Sequence, residues 1–285
     1  MRIGFQALHP AITVFYYVGA LSLLFLLFHP LFIVTGVTLL LAMNFLYDGG
    51  KGVWKWKGMM LITTILLIVV NVITSQRGSV ILWQGERYRI TGESLLYGTM
   101  MAGMIVAVIM LFISYQQVVT ADKFLYLFAR LLPQWAMLTM LAVRFMPLLR
   151  ERLSEIEKVQ RVRLGEGTPG WKKRMQRKMK QLEVLLTWSL EEGLQSADSM
   201  RARGYGVGRR TAYVYWRWRM RDSWSLFILG ALMLFCYWGR WQGWGVLDIY
   251  PDLERFSLIE AEWLLLMGYL LFISFPILIE AKETL

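Results

Sequence analysis

The sequence predicts an all-α, polytopic membrane protein. Of its 285 residues, 56% are hydrophobic and 14% aromatic, with a mean hydropathy of +0.45, above the range of an ordinary soluble domain. A bilayer core about 30 Å thick is crossed by about 20 largely apolar helical residues, and six stretches approach that length. No alternation over 9 to 11 residues suggests a transmembrane barrel.

In chain order the predicted spans are Ala11 to Phe28, Leu31 to Tyr47, Gly58 to Thr74, Leu95 to Val119, Trp224 to Trp238 and Ile259 to Ile279. The first lacks a small-residue cleavage site behind it and is expected to be retained. His9-Pro10 and His29-Pro30 mark the entries to the first two spans, where proline is tolerated because the first helical turn has spare donors. With no other histidines in the chain, a metal site is not expected. Between the third and fourth spans, "VILWQGERYRIT" suggests an external hairpin around Gln84-Gly85. Asn71 is the polar candidate within a span and reads as a helix-packing residue. Cys236 reads as small apolar filler, and Glu260 and Glu262 as the outer boundary of the last span.

The formal charge is +11, and 18 of the 31 Lys and Arg residues fall between Arg150 and Arg221. The positive-inside rule places that segment in the cytoplasm, and alternation then places both termini there. The predicted organisation is an N-terminal bundle of four spans (1–120), a cytoplasmic and interfacial coupling region (121–222) and a C-terminal pair of spans (223–285).

Within the middle region, Asp122 to Leu149 is apolar but interrupted by Arg130, Pro133, Arg144 and Pro147. It is expected to lie at the interface or under the spans. A polar helix follows from Leu149, with Leu149, Leu153, Ile156 and Val159 as its apolar face, until Gly165, Gly167 and Pro169 stop it. A second long helix runs through Lys172 to Arg203. Its apolar stripe is Leu182, Leu185, Leu186, Leu190, Leu194, Ala197 and Met200, which calls for a partner helix. Gly204 is placed to take the left-handed conformation that ends a helix, leaving Arg203 at the tip. A basic residue there also complements the helix dipole.

Both helices thus end in an arginine followed closely by glycine, "VRLG" with Arg163 and "ARGYG" with Arg203. Two basic tips suit insertion into two acidic grooves. "GYGVG" is neither a Walker A loop nor a dinucleotide fingerprint, so nucleotide is expected on a partner and not on this chain. The run "KKRMQRKMK" reads as a solvated face near anionic lipid, with no nucleic-acid role expected. No converging nucleophile, carboxylate pair or metal set suggests an enzyme. A stand-alone, ion-coupled secondary transporter is the alternative reading, but neither mid-membrane ionisable groups nor an internal repeat supports it.

At "SADSMRARGYGVGRRT" (196–211), with support from 121–152 and from "NVITSQRGSVILW" (71–83), the chain resembles the transmembrane T component of energy-coupling factor (ECF) transporters, the EcfT/CbiQ-like family. The resemblance implies a non-catalytic bacterial cell-membrane subunit. It would join two cytoplasmic ABC-type ATPases, which hold the ATP and Mg, to a substrate-binding membrane S component for a vitamin or metal ion. It further implies that Arg163, within Val162-Arg163-Leu164 and ahead of Gly165, and Arg203, within Ala202-Arg203-Gly204, dock on the ATPases. The second copy matches the family's Ala-Arg-Gly pattern, whereas Val162 and Leu164 depart from it at both flanks. Val72 stands where the family often has proline after the asparagine.

Overall fold

The computed structural model describes residues 4–75, 81–84, 89–164, 170–208, 216, 218–247 and 260–284. They form nine α-helices, one short 3-10 turn at Gly4–Ala7 and one two-stranded hairpin. The helices are α1 (Pro10–Leu26), α2 (Pro30–Asp48), α3 (Lys51–Thr74), α4 (Gly92–Val118), α5 (Ala121–Leu131), α6 (Pro133–Leu164), α7 (Trp171–Ala202), α8 (Met220–Trp241) and α9 (Glu260–Thr284). Strands β1 (Ile81–Gln84) and β2 (Arg89–Thr91) pair antiparallel at the position the sequence suggests, with Gln84 opposite Arg89. The intervening Gly85 lies outside the described residues.

The chain divides into two compact units, residues 1–124 with 216–285, and residues 125–215. In the first, α2, α3, α4, α8 and α9 are each long and apolar enough to cross a membrane, and α1 is a shorter apolar helix of 17 residues. The two C-terminal spans pack with the four N-terminal ones. α3 makes the membrane environment explicit: of its described residues only Met60 is buried, while Leu61, Ile62, Ile65, Leu66, Val69, Val70 and Ile73 are exposed. An apolar surface this continuous is untenable in water and ordinary against acyl chains.

α1 lies at the centre of this unit. Ile12, Tyr16, Ala20 and Leu23, spaced by about one turn, are fully buried. The Tyr16 hydroxyl donates to the Ile273 carbonyl of α9 at 2.9 Å, and its ring stacks on Phe272 with centroids 5.5 Å apart. The Tyr17 and Ser114 hydroxyls hydrogen-bond at 2.7 Å, joining α1 to α4. The interhelical amide expected of Asn71 belongs to a different residue. Asn71 donates to Leu67 of its own helix at 3.1 Å. Asn44, buried in α2, donates across to the Met110 carbonyl of α4 at 3.0 Å. In an apolar medium such a bond joins helices because the amide has no water to turn to.

Contacts at the helix ends sort into two sets. At one end the Gly4 backbone lies against the Glu280 side chain, the His9 ring is 4.9 Å from Trp218 and Gln117 reaches Asp48 at 3.5 Å. At the other, Gly245 N–H donates to Glu262 at 3.1 Å and Leu247 N–H to Phe28 at 3.1 Å. The first set brings the starts of α1 and α8 beside the end of α9, and the end of α4 beside that of α2, as alternating crossings require. Near the exit of the chain from this unit, Lys123 is fully buried, with its ammonium 5.6 Å from the Trp216 ring centroid.

Both His-Pro pairs are helix starts, with Pro10 and Pro30 in the first turn and each histidine as N-cap. His9 Nδ1 accepts from Ala11 N–H at 3.2 Å and His29 Nδ1 from Leu31 N–H at 3.3 Å. A protonated Nδ1 cannot accept, so both caps need the neutral ring. Burial lowers the pKa of each ring, with Asp222 opposing the shift at His9 and Glu262 at His29. The folded state therefore binds these protons later than the unfolded chain. Stability from the caps is complete above the ordinary histidine value of about 6.5 and falls as pH drops through the lowered folded-state values. Thermal unfolding of the purified chain between about pH 7.5 and 5 should show this decline. His29→Asn, which caps without titrating, should flatten it, whereas His29→Ala should cost about 1 kcal/mol at neutral pH.

Candidate functional site

The unit spanning 125–215 is built on α6 and α7, each 32 residues long. Leu132 separates α5 from α6, and Pro133 opens α6 where its missing N–H is harmless. α6 runs unbroken through Arg144 and Pro147 to Leu164, so the end of the interrupted apolar stretch and the polar helix expected after Leu149 are one helix. An interior proline forfeits one backbone bond and costs about 3 kcal/mol in isolation. Packing on both sides of it offsets that cost: Leu141, Phe145, Leu148, Leu149, Leu153 and Ile156 form a half-buried row at helical spacing. Val159, expected on the same face, is exposed instead.

Three contacts fix the direction of the pair. Tyr205 meets Met137 at 2.9 Å, Arg152 lies 5.0 Å from the Trp188 ring centroid, and Gln181 donates to Gln160 at 2.9 Å. As one partner advances 23 positions, from Met137 to Gln160, the other retreats 24, from Tyr205 to Gln181, so the helices run antiparallel. The stripe on α7 is placed differently from expectation. Leu185 and Met200 are half-buried beside Gln181, Trp188, Glu192 and Ser196, whereas Leu182, Leu186, Leu190, Leu194 and Ala197 are exposed. The most apolar face of α7 therefore lies beside the α6 contact and is uncovered.

Gly204 performs the predicted role. Its φ is +81°, its N–H donates to Arg201 at 2.9 Å, and Tyr205 N–H reaches back to Met200 at 3.0 Å. These are the two bonds of a Schellman motif. Arg203 is the C-cap residue, exposed, and Arg201 adds a second cation in the last turn. Both favour the negative end of the helix dipole. Among the described residues a β-carbon on Gly204 would meet nothing within 4 Å, so Gly204→Ala should cost about 1–2 kcal/mol through backbone strain. Amide exchange at Tyr205 should accelerate, with the rest of α7 unchanged.

The first arginine stands at the corresponding place on α6, one residue before its end at Leu164. Val162 beside it is 87% exposed. The side chains of Arg163 and Leu164, and Gly165, Gly167 and Pro169 entirely, lie outside the described residues. In the antiparallel pair Arg203 falls near Leu138, about 25 positions from Arg163, which separates the two tips by roughly 37 Å at 1.5 Å per residue. The sequence leaves the relative direction of the two helices open, and with it this separation.

Two comparisons bear on identity. Residues 6–214 match the family described as CbiQ, cobalt transport protein. Separately, 107 residues are 32% identical to the energy-coupling factor transporter transmembrane protein EcfT of Listeria innocua serovar 6a, covering 37% of this chain and 40% of that relative. The family match runs from the turn before α1 to beyond the Schellman motif, over more than two thirds of the chain. This membrane-embedded helical protein therefore belongs to the CbiQ cobalt transport protein family.

Proposed function

We propose that the chain is the transmembrane energy-coupling subunit of an ECF-type importer. It links ATP hydrolysis on two cytoplasmic ABC-type ATPases to uptake of a vitamin or metal ion through a separate S component. The observation that carries this reading is the antiparallel α6–α7 pair, with Arg163 near one end and Arg203 at the other. Tips about 37 Å apart reach two separate subunits and not one groove. The family match and the name of the Listeria relative support the same assignment.

On this reading 121–222 and both termini are cytoplasmic, in keeping with the cation density of the middle region. ATP-driven closure of the motors displaces the tips, and stiff helices transmit the displacement towards the membrane. Leu182, Leu186, Leu190 and Leu194 on α7 offer the S component an apolar track. The chain itself binds no nucleotide and catalyses nothing.

Tagging the chain at native expression level and identifying the recovered subunits tests the proposal. Two ATPases and a small membrane subunit are expected. Ion-gradient-driven uptake by the isolated chain in liposomes would overturn it in favour of a secondary transporter.

A further inference from the structure

The first turns of α7 carry a feature that motor docking leaves unused. From Trp171 to Leu182 there are six cations, Lys172, Lys173, Arg174, Arg177, Lys178 and Lys180, and no acidic residue. The cations are exposed except for the half-buried Arg177. Between them runs an apolar row, Trp171, Met175, Met179 and Leu182, spaced by three or four residues and therefore on one face. All four are exposed, Trp171 at 75%.

Neither half of this face is explained by the fold. The cations do not stabilise their helix, because three of them sit in the first turn, where the dipole favours anions. The apolar row lies roughly a quarter-turn round the helix from the side that meets α6, where Gln181, Leu185 and Trp188 lie, and is left uncovered. An apolar strip containing tryptophan, flanked on both sides by long cationic side chains, is the composition of a helix that lies in the headgroup layer of an anionic membrane.

We propose that residues 171–182 dock on anionic phospholipid at the membrane surface. Trp171, Met175 and Met179 enter the acyl–headgroup boundary, and Lys172, Arg174 and Lys178, which flank the row on the helix surface, contact lipid phosphates. The apolar strip favours lipid over nucleic acid, whose phosphate backbone gives methionine and leucine nothing to bury against. Tethering favours lipid over a free acidic protein: the segment is joined at both ends to membrane spans, so the bilayer is always present at high effective concentration. Docking there would hold the arm bearing the basic tips against the membrane surface.

The test uses the full chain in nanodiscs, with buried Cys236 replaced by Ala and Met179→Cys carrying an environment-sensitive dye. Discs of phosphatidylcholine alone are compared with discs containing roughly a third phosphatidylglycerol, a strongly anionic surface. In anionic discs the emission should shift to the blue and be quenched by nitroxide-labelled lipid, and both effects should disappear at about 0.5 M salt. Each cation near such a surface biases docking about five-fold, so K172Q/R174Q/K178Q should lower the docked-to-free ratio about a hundred-fold. A label equally wet in both compositions would overturn the proposal. So would one shielded only on adding an acidic partner protein or an oligonucleotide. Should the triple variant fail to fold, varying lipid and salt around the otherwise unsubstituted arm still separates docking from its absence.

Discussion

Arg203→Ala is expected to detach one ATPase from the complex while leaving the chain itself folded. Arg203 is exposed at the end of α7, so within the isolated protein its loss removes only a favourable dipole interaction, about 0.3–1 kcal/mol. In the assembled importer the guanidinium would be desolvated against a groove carboxylate. Removing it strands that carboxylate, at a cost of about 3–5 kcal/mol, a factor of 10² to 10³ or more in affinity. The difference between these magnitudes separates docking from capping. Co-purification of the ATPases and ATP-driven uptake are the readouts, and Arg203→Lys should restore only part, since a point charge cannot reproduce a bidentate contact. Intact coupling in a stable Arg203→Ala complex would refute docking at that residue. Arg163→Ala should uncouple hydrolysis from uptake independently. With the tips about 37 Å apart, the two effects should add in the double variant.

Gly36→Leu should lower the stability of the membrane unit by about 1–3 kcal/mol, towards the upper end of the overpacking range. A β-carbon on Gly36 would collide with the Tyr269 hydroxyl and come 3.5 Å from Leu24, so α1, α2 and α9 converge on that backbone. Tyr269 is fully buried and packed on Phe32, leaving its ring little room to retreat. Helices in lipid gain nothing from hiding apolar surface that lipid would cover equally well, and depend on such close approaches. Gly58, with nothing within 4 Å of an added β-carbon, is the control: Gly58→Ala should be neutral or stabilising by up to about 1 kcal/mol. Thermal melts in one detergent would compare the two.

Hydrophobic length made the spans legible, and alternation agrees with the end contacts that bring Gly4 to Glu280 and Gly245 to Glu262. Turn chemistry made the ends of α7 and the His-Pro caps legible, because only a few residue types satisfy those backbone groups. What composition concealed was which face of a helix meets another. On α7 the strongest apolar stripe is not the one against α6, whose contacts there include Gln181 and Trp188. A helix that leaves its most apolar face uncovered inverts the usual inside-out rule. The continuity of α6 through Pro147 was not legible either, because a proline's penalty is local, while the packing that offsets it comes from residues far along the chain. Asn44 gave no signal that set it apart from Asn71, since the Met110 carbonyl that accepts from it is 66 positions away.

The burial of Lys123 beside Trp216 has a mechanical corollary. The polypeptide departs for residues 125–215 just after the lysine and returns just before the tryptophan. Its outgoing and incoming leads thus start side by side at the span-bearing unit. A pull or twist that arrives along either lead is delivered at one place, instead of prying two distant helix ends apart.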